Sequence, residues 1–162
     1  MNVIADAESA RASEAQELLR AAVLELIVRY GGDDDGDASF DIGEIEQAGG
    51  VFLMARIGGV AVGCVALRPY APGVGEIKRL FVSSTARNRG VGTQLLRAVE
   101  TWAQESGYGK LILETGTAQP EAIALYQKHG YQAIANFGVY ADDPRSRCFA
   151  KMLPAAQKGE ET

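Results

Sequence analysis

Histidine, tryptophan and cysteine are scarce: one His, one Trp and two Cys in 162 residues. With His129 as the sole imidazole, a zinc site would need an unusual ligand set, so no metal is expected. Cys64 and Cys148 both sit in apolar alternating segments, which reads as reduced core thiol rather than a bridge. No apolar run approaches the roughly 20 residues needed to cross a bilayer, so no membrane partner is expected. The opening "MNVIADAESARASE" lacks the basic start, apolar centre and small-residue cleavage site of an export signal, and the expected location is cytoplasmic. Positive charge is also short, with 16 Lys and Arg against 21 Asp and Glu and a net charge of −5. That balance argues against a nucleic-acid partner, because displacing counterions from phosphates needs a dominant basic face.

The chain is 47% hydrophobic and 23% charged, ordinary for a globular protein and long enough to bury a core without disulfide or metal support. We read residues 1–162 as one domain, with a core over about 2–153 and a frayed tail at 154–162. A short edge strand is expected at 2–7, with Ser9 or Ser13 capping the helix that follows. From Ser13 to Tyr30, Ala15, Leu18, Leu19, Ala22, Val23, Leu26 and Ile27 recur at three- and four-residue steps, the spacing of one helix face. "GGDDDGD" (31–37) stops that helix, and a weaker one is expected at 40–48. Segments 51–57 and 60–69 flank Gly58-Gly59 and form a hairpin. Strands follow at 76–82 and 110–115, helices at 90–104 and 121–129, and two last strands near "YQAIANF" and "RCFAKML". Hairpins first and strand-helix-strand units later imply an α/β or α+β fold with a mixed sheet.

Basic residues are few but gathered. Between Ile77 and Val99 stand Lys78, Arg79, Arg87, Arg89 and Arg97, with no acidic residue among them. "ARNRGVGTQLL" (86–96) places two of these arginines beside two glycines, just ahead of a helix. A helix starting near Gly90 leaves its first N–H groups without intrahelical partners, and aligned peptide dipoles add partial positive charge there. Gly90 and Gly92 would bare those amides, and Arg87 and Arg89 would add charge-assisted bonds, an outline that suits a diphosphate. A Walker A loop needs Gly-Lys-Ser/Thr, which is absent, and the dinucleotide fingerprint needs Gly or Ala where Leu95 stands.

With both rivals failing on residues, "RNRGVG" (87–92) resembles the pyrophosphate loop of the GNAT superfamily of N-acetyltransferases. "EIKRLFVSSTARNRGVGTQLL" is similar to that family's strand-loop-helix unit, and "EAIALYQKHGY" (121–131) to its later helix, with tyrosine four residues before glycine. The resemblance implies a mixed, mostly antiparallel sheet of six to seven strands flanked by about four helices. It implies acetyl-CoA as cosubstrate and a small-molecule or peptide amine as acceptor, with dimers common among relatives.

By the same resemblance, backbone groups of Leu80, Phe81 and Val82 would align the pantetheine arm. Arg87, Asn88, Arg89, Gly90, Val91, Gly92 and Thr93 would hold the pyrophosphate, and Tyr126 would be the general acid at sulfur. Gln119 stands where the family often has asparagine. Glu76, fourteen residues before Gly90, is the candidate base, acting through water because carboxylate and ammonium are badly matched in pKa, about 4.3 against about 10.4.

Each residue also has a plainer reading. Tyr126 is a core aromatic in that case, Glu76 an ion-paired strand end, and His129 a helix-end imidazole that favours the C-terminal dipole. Glu114 is a second carboxylate that shares or replaces the base role. Tyr140, within the variable segment 136–146, is a candidate for the acceptor pocket. From Tyr30 to Ala55 there are seven acidic residues and no basic one, a solvated run or an attractor of cationic amines. The rival to an enzyme is a non-catalytic acyl-CoA-binding regulatory module.

Overall fold

The structure is a computed structural model that describes residues 2–31 and 41–154. Among these residues seven strands form one sheet in the order β1-β2-β3-β4-β5-β7-β6. They are β1 (Val3–Ala7), β2 (Val51–Ile57), β3 (Val60–Ala71), β4 (Val74–Val82), β5 (Lys110–Gly116), β6 (Gln132–Ile134) and β7 (Ser146–Met152). The helices are α1 (Ser13–Arg29), α2 (Ile42–Glu46), α3 (Val91–Glu105) and α4 (Pro120–Lys128). Neighbouring strands run antiparallel except β4 and β5, so the sheet is mixed and mostly antiparallel, as the sequence implied.

The two-residue period of the central strands sorts their side chains into two cores. Leu53, Ala55, Val65 and Leu67 turn toward α3 and α4, where Leu95, Leu96 and Val99 meet them. Phe52, Met54, Cys64 and Ala66 turn the other way, toward Leu18 and Leu19 of α1 and Ile45 of α2. Each fully buried leucine or valine on α3 contributes about 1.5–3 kcal/mol relative to exposure, which anchors that helix and therefore its first turn. Only the first half of the α1 stripe is buried, at Ala15, Leu18, Leu19 and Ala22. Leu26 and Ile27 are half-buried.

Several boundaries differ from the sequence reading. Neither Ser9 nor Ser13 caps α1: the N-cap is Ala12, whose side chain offers no hydrogen bond, and the Ser9 hydroxyl accepts from Arg11 N at 3.1 Å instead. β4 begins at Val74 rather than 76, because Pro72-Gly73 suffices to turn the chain with Ala71 opposite Val74. The weaker helix shrinks to α2, capped by Asp41, whose carboxylate accepts from Gly43 N at 2.9 Å. Most of the aspartate-rich loop and all but residue 154 of the expected tail lie outside the described residues.

One irregularity positions everything that follows. β4 and β5 pair only over Val74–Ile77 and Lys110–Leu113. Beyond that point β4 continues against β3 alone, and β5 against β7. A register shift opposite Cys64/Ala66 coincides with Arg79 in left-handed conformation at φ 57°. Such a backbone costs about 1–3 kcal/mol for a non-glycine residue and bends the strand away from its former partner. The two strands part, and a cleft opens between their C-terminal ends.

Candidate active site

The cleft holds a cavity of about 650 Å³ whose wall includes Glu76, Leu80, Phe81, Val82, Arg87, Asn88, Gly90, Val91, Gly92, Thr93, Gln119 and Tyr126. Of the residues given acid, base or cofactor roles in the sequence, Arg89 alone stands apart, exposed on the loop and outside that wall.

At one end lies the start of α3. Asn88 and Gly90 both adopt left-handed backbone, at φ 63° and 77°, which swings the chain from the loop into the helix. Gly90 is the N-cap, no side chain caps the helix, and its first turn has no acidic residue, unlike the first turns of α2 and α4. The leading amides therefore face the cavity with no protein carboxylate of their own helix, an arrangement suited to an anion.

The two glycines do different work from the shared one expected. A Cβ at Gly90 would meet nothing within 4 Å, so glycine is there for its positive φ. A Cβ at Gly92 would lie 3.2 Å from Leu125 Cδ2, so glycine is there to let α4 approach. His129 closes that contact: its Nε2 lies 3.3 Å from Thr93 Oγ1, and burial, opposed by Glu100 and aided by Arg97, Lys151 and Lys128, lowers its pKa. His129 is the C-cap of α4, the helix-end position expected for it, and its ring also meets Thr93 at the start of α3.

The middle of the cleft is the free edge of β4, where Leu80, Phe81 and Val82 have no β5 partner. Facing it from α4, Tyr126 is 5% exposed and packs edge-on against Tyr131 at 5.6 Å between ring centroids. Burial, with Glu114 adding to it, raises the Tyr126 pKa and keeps the phenol protonated.

The far end is polar. Glu76, 1% exposed, accepts from Arg68 Nε at 2.7 Å, and Lys78 Nζ lies 3.8 Å from its second oxygen. Arg68 also pairs with Glu44 of α2. Lys78 donates to the Tyr140 hydroxyl at 3.1 Å, and burial lowers its pKa, opposed by Glu76. Glu114 accepts from the Ser146 hydroxyl at 2.6 Å. Glu114 and Tyr140 both line the cavity, so the two alternatives raised from sequence lie in the same cleft as Glu76.

Sequence reasoning missed Glu25 and Arg29 of α1, Arg68 of β3 and the packing of Tyr30, all on or behind this wall. The four-residue step from Glu25 to Arg29 is a legible helix ion pair, found at 2.9 Å, but its reach to other elements is not.

Neither cysteine offers a nucleophile. Both are buried and unbridged; the Cys64 thiol donates to Arg79 O at 3.4 Å, and burial pushes its pKa up to about 12. In native buffer neither thiol should react with a disulfide reagent, whereas both should titrate in denaturant. Prompt reaction of the native protein would show an open, reactive thiol and revive a covalent route.

Among the described residues no helix is long and apolar enough to cross a membrane, and no group of three acidic, His or Cys side chains is arranged to hold a metal. The acetyltransferase (GNAT) family model matches residues 18–131. The chain is 39% identical over 142 residues to "IAA acetyltransferase" of Azospirillum brasilense, covering 83% of this chain and 93% of that one. Mammalian relatives are longer, and the match spans about half of their length. A solved chain from Klebsiella pneumoniae, provisionally named an acyl-CoA N-acyltransferase, shares 30% identity with TM-score 0.77, covering 94% of this chain and 98% of its own. A GNAT family acetyltransferase from Elizabethkingia anophelis with acetyl-CoA bound shares the fold at 24% identity and TM-score 0.69, covering 94% and 99%.

Proposed function

The chain belongs to the acetyltransferase (GNAT) family, a family of acetyl-CoA-dependent acetyltransferases, and from that premise we propose that it acetylates a primary amine by direct attack within a ternary complex. One observation carries the reading: a single cavity joins the uncapped start of α3, the free edge of β4 and the buried phenol of Tyr126.

Acetyl-CoA supplies an activated thioester. The amides of Val91, Gly92 and Thr93 would hold its diphosphate, and the β4 edge over Leu80–Val82 would bond the pantetheine amides and orient the thioester carbonyl. The cavity fits that ligand because nothing caps α3 and Gly92 keeps Leu125 clear of side-chain interference. Glu76, fixed by Arg68, would take a proton from the acceptor ammonium through water and so free the amine lone pair for attack, with Glu114 the second carboxylate in reach of the cleft. As the N–C bond forms and the C–S bond breaks, Tyr126 would donate its proton to the leaving sulfur, and the remaining excess proton on the acetylated nitrogen would pass through water to restore the phenol. The ordinary thiol pKa is about 8.5 and burial raises that of the Tyr126 phenol above its ordinary value of about 10, so the phenol would stabilise developing thiolate by its hydrogen bond before transfer is complete. The acceptor in this reading is a small-molecule or peptide amine.

The test is incubation with acetyl-CoA and a panel of amines while free thiol is followed. Thiol release dependent on an amine, with initial-rate lines that intersect, is the expected result. Parallel lines would replace direct attack by an acyl-enzyme. CoA binding without release on any amine would favour the non-catalytic module.

A further inference from the structure

The last two turns of α1 lie across the phosphate end of the cleft and are tied to both of its lips. On one side, Arg87 of the β4–α3 loop donates Nε to Val82 O at 3.1 Å and pairs through its terminal nitrogen with Glu25. Glu25 is shared with Arg29. On the other side, Arg29 donates to Ala118 O at 2.8 Å and pairs with Glu121 at the start of α4. The result is a run of alternating charge, Arg87-Glu25-Arg29-Glu121, whose members all line the cavity. Tyr30 secures the far lip: its hydroxyl accepts from Ala118 N at 3.2 Å and rests on Gly116, where a Cβ would fall 1.5 Å from that oxygen.

We propose that Glu25 is an internal counter-ion that the cofactor's diphosphate displaces, so that Arg87 changes partner on binding and the last turns of α1 loosen from the β4–α3 loop. The inference rests on the diphosphate lying at the start of α3. Arg87 is the charged side chain nearest in sequence to those amides that also faces the cavity, yet its guanidinium is already engaged by a carboxylate. A diphosphate at the helix start brings like charge toward Glu25 inside a cleft where screening by water is reduced. A guanidinium serves either anion in the same forked geometry, so the exchange needs a rotation of Arg87 and no new residue. Glu25 thereby sets the affinity for the phosphate portion of the cofactor and leaves the pantetheine portion alone. By linkage, a bound diphosphate must weaken the hold of Glu25 on the loop by the same factor.

The experiment is calorimetric titration of wild type and Glu25→Gln with three ligands: CoA, inorganic diphosphate and pantetheine. Glu25→Gln should tighten CoA and diphosphate about three- to fivefold, the scale of one partly exposed ion pair, and move pantetheine by less than about twofold. In an Arg87→Gln background the same substitution should tighten CoA by less than about twofold, because the contested partner is gone. As a readout that needs no variant, backbone amides of residues 25–30 should exchange faster when CoA is bound to wild type. Equal or weaker CoA binding by Glu25→Gln overturns the proposal, as does equal tightening of pantetheine, which would signal a wider cleft instead. Absence of CoA binding by both proteins is a different failure, because it removes the cofactor reading itself.

Discussion

Tyr126→Phe is expected to lower kcat about a hundredfold while acetyl-CoA binding and the melting temperature stay near wild type, the low end of what a positioned general acid contributes. The substitution removes one oxygen and keeps the ring, so the edge-on contact with Tyr131 and the tilted one with Phe149 persist. Loss confined to the chemical step is therefore separable from loss of packing. The sign of the pKa shift makes a second demand. Burial raises the Tyr126 pKa, and a raised value keeps the proton-donating form to higher pH. The wild-type rate should thus rise as the acceptor amine loses its proton and show no decline from Tyr126 below about pH 10, the ordinary phenol value. A pH–rate profile in deuterated and ordinary buffer, run on both proteins, checks both demands. An unchanged kcat in the variant would return Tyr126 to the plain role of core aromatic.

How much of this was legible in the sequence depends on how far each interaction reaches along the chain. The start of α3 is local: Gly90, Gly92 and the arginines around them lie within one loop and one helical turn, and the motif could be read as an anion site directly. The hairpin of 51–57 and 60–69 around Gly58-Gly59 was readable for the same reason, and its second strand runs on to Ala71. The cap of α1 was misplaced because the chain enters the helix through Ala12, and propensity favoured the neighbouring serines. Contacts between distant segments left no local trace. Arg87 meets Glu25 across 62 residues, and Arg29 meets Ala118 across 89. Neither pairing has a period or motif, since both arise only when α1 is laid over the parting of β4 and β5. That parting was itself hidden, because a bulge at Arg79 is a departure from strand pattern by one residue of ordinary type. Candidate roles at the acid and the phosphate end were thus readable, while the wall that encloses them was not.

Arg68→Met is expected to destabilise the fold by about 3 kcal/mol, because it leaves a buried carboxylate with no guanidinium partner. Arg68 and Glu76 sit directly opposite each other on β3 and β4, so the pair is cross-strand and short, 2.7 Å from Nε to Oε1. With Arg68 gone, Glu76 at 1% exposure keeps only Lys78 at 3.8 Å, a cation that burial already pushes toward its neutral form. For a chain of this length the loss corresponds to a melting temperature about 10 °C lower, readable by urea or thermal unfolding. Adding Glu76→Leu to the same chain should restore much of that stability, since removing both charges of a buried pair is often neutral. It should not restore turnover. Glu76 is the group proposed to receive the amine proton, so the double variant should stay slow although folded, and that split separates a carboxylate kept for chemistry from one kept for the sheet. If the single substitution costs under about 1 kcal/mol, Lys78 alone suffices and the pair is ordinary surface-grade electrostatics. If the double variant regains wild-type kcat, Glu76 is not the base and Glu114, hydrogen-bonded to Ser146 in the same cavity, takes its place.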